Sequence, residues 1–185
     1  MYLTEKIYLH PIAPYCYDTA RVSVPTVGDY STVHFDRNEY SVPVRFLRKS
    51  VTVKGYANRV VIICDADTIV TYERLSGQGK TAYKLEHYIG LWERKPRSVF
   101  QEKPVRQTVK KEILELGKQL PGGNKDMVRL LRMCVDYGEN RVLLAKSCIP
   151  AGITPAVDII RSYLEEPEKL QQLVFQVKFI SPQLI

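Results

Sequence analysis

The chain has 185 residues, 45% of them apolar and 25% charged, with a net charge of +7. This is an ordinary globular composition, long enough for one domain or two small ones around a real core. No apolar run approaches the roughly 18 residues of a membrane-spanning helix. The opening "MYLTEKIYLHPIAPY" lacks the features of a signal peptide, so an intracellular, cytoplasmic location is expected.

Residues 1–21 read as an N-terminal linker. From Val22 the chain reads as β: "VSVPTV", "STVHF", "EYSVPV", "SVTVKGY", "RVVIICD" and "DTIVTYERL" are short, rich in β-branched and aromatic residues, and separated by turn signals. Asp36-Arg37-Asn38-Glu39 reads as the turn of the first hairpin, whose second strand stops at Pro43. In Ser50–Tyr56, Val51 and Val53 point one way and Thr52 and Lys54 the other. "VVIICD" is apolar throughout and reads as a central strand covered on both faces. About six such strands in roughly 70 residues predict a small β-barrel, because closure hides exposed edges. "SGQGK", Ser76–Lys80, lacks the spacing of a phosphate-binding loop and reads as a mobile connection.

From Pro104 the period changes. Val105, Val109, Ile113, Leu116 and Leu120 recur at helical spacing up to "PGG". A second helix is expected over about 125–137, with Met127, Leu130, Leu131, Cys134 and Val135 inward and Gly138 as its stop. A third is expected over about 140–147, and a fourth is opened by Thr154-Pro155 and runs to about Leu164. The tail "KLQQLVFQVKFISPQLI" suits helix or strand, and its apolar residues call for a surface to pack on. The fold class expected is mainly β followed by α. The β-barrel domain spans 22–100, the helical domain 104–166 and the C-terminal tail 167–185.

Catalytic chemistry is not legible. His10, His34 and His87 are far apart and stand in no metal-ligand spacing, so no metal site is expected, and no cofactor. His34 falls on the exposed face of its strand. Cys16, Cys64, Cys134 and Cys148 are widely spaced without a Cys-x-x-Cys pair and read as small core residues. Asp65 and Asp67 in "ICDADT" suit a hairpin tip better than a metal pair. There is no nucleophile motif.

The cations, however, are clustered. Residues 37–59 hold Arg37, Arg45, Arg48, Lys49, Lys54 and Arg59 against Glu39 alone; residues 94–111 hold Arg94, Lys95, Arg97, Lys103, Arg106, Lys110 and Lys111 against Glu102 alone. Scattered lysines would be a solvated surface. Arginines beside Tyr40, Phe46 and Tyr56 suit phosphates and aromatic stacking instead.

The segment "YSTVHFDRNEYSVPVRFLRKSVTVKGYANRVVIICDADTIVTYER", followed by "HYIGLWERKP", resembles the region after the catalytic domain in IstA-type insertion-sequence transposases. This is the family that works with a helper AAA+ ATPase and is related to phage Mu transposase. The matching elements are V-x-F-D-x-N-x-Y-S-V-P, a following V-x-V-K-G, a strand pair, and His-Tyr before L-x-x-x-K-P, covering about Asp29 to Arg97. The C-terminal helices resemble the family's helical extension.

The resemblance implies a C-terminal piece of a transposase of the integrase superfamily, with an SH3-like barrel. There is no room before Asp29 for the Asp-Asp-Glu domain, so no catalytic residues are assigned and no enzyme activity is expected of this piece. The barrel's implied role is to contact transposon-end or target DNA and to help assemble the transpososome. Arg37, Arg45, Arg48, Lys49, Lys54, Arg94, Lys95 and Arg97 would meet phosphates; Tyr40, Val42 and Pro43 would be structural. The implied partners are DNA, other transposase subunits and an AAA+ ATPase helper, with no membrane. The alternative is a protein-interaction module in which helices and tail dock a subunit or that helper.

Overall fold

Two tight turns organise the β half. Asp36 and Arg37, at φ 52° and 61°, join β2 (Thr32–Phe35) to β3 (Asn38–Ser41). Asp65 and Ala66, at φ 52° and 70°, join β5 (Arg59–Cys64) to β6 (Asp67–Glu73). Positive φ at both central residues gives the turn twist that suits a two-residue hairpin. The first turn is therefore shorter than expected, and Asn38 and Glu39 belong to the strand. The "DAD" hairpin tip stands as read.

A computed structural model describes residues 17–150 and 152–166; Cys16, His10 and the tail from residue 167 lie outside them. With β1 (Arg21–Ser23), β4 (Thr52–Gly55) and β7 (Thr81–Ala82), the described residues hold seven strands in two sheets of order β1-β4-β5-β6 and β2-β3-β7. All pairs are antiparallel except β3 with β7. The mainly-β half is as expected, but its sheets do not close into a barrel. Among the described residues no ladder joins them, and instead they share one core. Val33, Phe35, Tyr40, Val51, Val53, Val60, Ile62 and Tyr72 fill it, all buried. β5 is central in its sheet, yet Val61 and Ile63 are only half-buried, so one face of it is covered rather than both.

Among the described residues six α-helices follow: α1 (Ile89–Arg94), α2 (Lys103–Thr108), α3 (Lys111–Gln119), α4 (Asn124–Tyr137), α5 (Glu139–Ser147) and α6 (Val157–Glu165). The five periodic residues from Val105 to Leu120 are all buried, but α2 and α3 are separate helices. Thr108 Oγ1 donates to the Pro104 carbonyl at 2.5 Å, and Val109 and Lys110 are extended. Such local bonds compete with helix propagation. Gly138, at φ 84°, ends α4 as expected. The last helix begins after Ala156, two residues beyond Pro155.

The helical core also takes in Tyr88, Ile89, Trp92 and Val99, upstream of the helices read from sequence. Val44 and Tyr83 pack against it. The seam between the two cores thus runs through "SVPV" and "AYKLEHY".

Candidate nucleic-acid interface

Asn38-x-Tyr40-Ser41 ties the seam together. Asn38 is buried; its Nδ2 donates to the Gly77 carbonyl at 2.8 Å, and its Oδ1 accepts the Lys80 N–H at 3.0 Å. The "SGQGK" connection is therefore pinned to β3 at these two points. The Tyr40 hydroxyl accepts the Leu75 N–H at 3.0 Å. Ser41 Oγ accepts the Lys84 N–H at 3.0 Å and lies 2.8 Å from His87 Nδ1 and 2.7 Å from the Tyr72 hydroxyl. That hydroxyl also donates to the Ser41 carbonyl at 2.7 Å. Tyr88 of the His-Tyr pair donates to the Tyr30 carbonyl at 3.0 Å. Tyr40 and Val42 are fully buried, and Pro43 ends the strand by leading into a 3-10 turn over Val44–Phe46. These motif residues are architectural.

Burial, with help from the Lys84 charge, lowers the His87 pKa to about 4, so the ring is neutral near pH 7. Glu86 Oε1 lies 3.9 Å from its Nε2 but is itself exposed and does not offset the desolvation. Sequence spacing alone gave no sign of this site. The signal lay in the joint presence of Ser41 and His87 within the two quoted motifs.

The eight cations do not form one surface. Arg37 sits in the β2–β3 turn, at the opposite end of β3 from Arg45, and its carbonyl accepts the Gly79 N–H at 2.9 Å. Around that turn Asp36 takes Arg74 at 2.7 Å and Arg21 at 3.5 Å, which hold its carboxyl below the usual range. Arg21 and Arg74 were not among the expected contacts; only the strand register brings them here.

Arg45, Arg48 and Lys49 lie on the loop between β3 and β4, not on a strand. Arg45 and Lys49 flank the Phe46 ring, at 4.9 Å and 5.7 Å from its centroid. Arg48, at φ 60°, donates to Asp29 at 3.2 Å with both side chains exposed. Lys54 is half-buried and paired with Asp18 at 2.8 Å. Their mutual hydrogen bond lowers the Asp18 pKa and raises that of Lys54. Arg94 ends α1, and Lys95 and Arg97 follow it, all exposed.

One cleft brings two of these residues together from distant parts of the chain. Its walls include Arg45, Ile69, Glu86, His87, Gly90 and Arg94. Among the described residues neither Arg45 nor Arg94 has an acidic partner within salt-bridge distance. Glu86 lies 3.9 Å from Lys84 Nζ as well as from His87. The described residues hold no group of three or more His, Cys, Asp or Glu side chains arranged to bind a metal.

Residues 12–84 match the family of the Mu transposase C-terminal domain. The chain is 26% identical over 165 residues to the transposase for insertion sequences IS1326/IS1353 of Pseudomonas aeruginosa, covering 83% of this chain and 32% of that protein. The same figures hold for the protein of that name from Shigella flexneri. The chain is thus similar to insertion-sequence transposases, and its residues 12–84 to the Mu transposase C-terminal domain. A transposase of Aminobacter aminovorans is 31% identical to the chain over 124 residues, covering 61% of it and 24% of the relative. The region therefore spans about a third or less of the length of the curated relatives it matches. No solved structure matches it significantly. All three relatives carry the name transposase. None of its described helices is long and apolar enough to cross a membrane.

Proposed function

We propose that this region binds the backbone of transposon-end or target DNA and helps assemble the transpososome. The observation that carries the reading is the cleft holding Arg45 and Arg94, which have no acidic partner among the described residues, on a chain of net charge +7. Guanidinium groups left unpaired by protein carboxylates are free to meet phosphates, and such contacts give affinity without base reading. Lys49, Arg37, Lys95 and Arg97 would supply separate phosphate contacts outside the cleft. Arg48 and Lys54 are already paired with Asp29 and Asp18, so they contribute less.

Titration of the 185-residue chain with fluorescent duplex DNA at several salt concentrations tests this. Affinity should fall steeply with salt, by about 0.9 in logarithmic slope per neutralised phosphate. Removing charge at Arg45, Arg48 and Lys49 should flatten the slope. Unchanged binding in that triple variant would remove the site assignment.

The region also presents exposed apolar side chains, Tyr30, Leu91, Leu144 and Ile153 among them. They support a second role, docking another transposase subunit or an AAA+ ATPase helper, compatible with the first. Deleting the chain from Lys169 onward should abolish that association while sparing DNA; normal assembly by the shortened chain would exclude the tail from it.

A further inference from the structure

The walls of the cleft come from both halves of the molecule. Arg45 stands on the β3–β4 loop, Ile69 on β6, and Gly90 and Arg94 on α1, whose Ile89 and Trp92 belong to the helical core. Val44, next to Arg45, packs against that same helical core, which fixes the loop to the helices. On the inner side, Ser41 takes His87 Nδ1 at 2.8 Å, leaving Nε2 on the side of Glu86 and the cleft. His87 is neutral and Glu86 lies also near Lys84, so Arg45 and Arg94, neither with an acidic partner among the described residues, leave the cleft net positive. Two like charges facing a common space repel each other, and an anion placed between them relieves the repulsion. Arginine is also the side chain whose planar fork fits phosphate oxygens.

Resting on the DNA-binding reading above, we propose that a single backbone phosphate seats in this cleft between Arg45 and Arg94. The sheet half and the helical half then grip the same phosphodiester. Bound DNA acts as a bridge across the seam rather than as a ligand of the sheets alone. It also follows that the two arginines work as one contact: losing either spoils the grip, and losing the second adds little.

The test compares Arg45→Gln, Arg94→Gln and the double variant in duplex-DNA titrations across salt. Circular dichroism and Trp92 fluorescence confirm that each variant is folded. In parallel, inorganic phosphate is titrated into the wild-type chain and the double variant, with the amide NMR signals of His87, Gly90 and Arg94 as readout. Expected is a loss of about 1 in the logarithmic salt slope for the double variant, nearly matched by each single one. The phosphate-induced shifts should vanish in the double variant. A slope loss of about 2, built from independent single effects, would mean two separate phosphates; it would overturn the shared seat while leaving DNA binding intact. Phosphate shifts lost in the double variant, with DNA affinity unchanged, would show a free-anion site and overturn the backbone assignment. Absence of any salt-dependent DNA binding by the wild type would overturn this proposal and the function it rests on together.

Discussion

Lowering the pH should loosen this region through His87, in a window that separates it from the acids. The ring is buried and bonded to Ser41, and its pKa falls from 6.5 to about 4. The folded protein therefore holds the ring neutral, whereas the unfolded chain takes up a proton below pH 6.5. Between these two values the unfolded state binds more protons, so stability falls as the pH falls. The contribution is fully present above pH 6.5 and is lost progressively toward pH 4. The gap between 6.5 and about 4 corresponds to about 3 kcal/mol in the limit, and roughly 2.5 kcal/mol of this should be gone by about pH 4.5. Asp18 and Asp36 have pKa values held below 3.8, so their loss comes mostly at still lower pH. The assay is urea denaturation at about pH 7.5 and 4.5. It is followed by Trp92, the only tryptophan of the chain, stacked on Tyr88 at 5.6 Å and buried in the helical core. His87→Gln lowers the starting stability but removes the titrating ring. The wild type should lose about 2 kcal/mol more than the variant between the two pH values. Equal losses would refute the reasoning.

Three further outcomes are expected. Asn38→Ala should cost about 1–3 kcal/mol by stranding the Lys80 N–H and the Gly77 carbonyl, and should speed hydrogen exchange at Lys80; unchanged exchange would show that the loop is held by other contacts. Gly55→Ala should cost about 1–3 kcal/mol, read as a lower melting temperature, because a Cβ there runs into the Phe35 ring. Lys54→Gln should weaken DNA binding less than Arg45→Gln does, since Asp18 already holds Lys54 at 2.8 Å; equal effects would mean that the ion pair opens on binding.

The strand regime was legible where one face is buried and the other is not. Val51 and Val53 are buried while Thr52 and Lys54 are half-exposed, and His34 is exposed on β2. The turn at Asp36-Arg37 was read too long because no glycine marks its positive φ angles. The helical period survived the break between α2 and α3 because all five apolar residues still face the core. The break itself depends on backbone bonding that periodicity does not record. Helix α1 carries only two buried residues, Ile89 and Trp92, too few for a period to show. Of the candidate interface, charge density along the chain was readable but its neutralisation was not. Asp18 and Asp29 meet Lys54 and Arg48 from 36 and 19 residues away, and only the fold puts them there. The pairing of Arg45 with Arg94 across a cleft is likewise a product of packing.

The wiring of β3 bears on the order in which the molecule assembles. Asn38 and Ser41 reach their main side-chain partners only across chain separations of 31 to 46 residues. The excursion between them is the β4–β5–β6 meander, whose neighbouring strands pair in sequence. Short loops close at lower entropic cost than long ones, so the meander can form before β3 finds the Leu75–His87 stretch. We infer that the clasp is fastened last, drawing α1 onto the sheets as it closes. Substitutions at Ser41 or Asn38 should then speed unfolding and leave the folding rate nearly untouched, whereas Val53 or Ile62 variants should slow folding; the reverse pattern in stopped-flow kinetics would contradict that order.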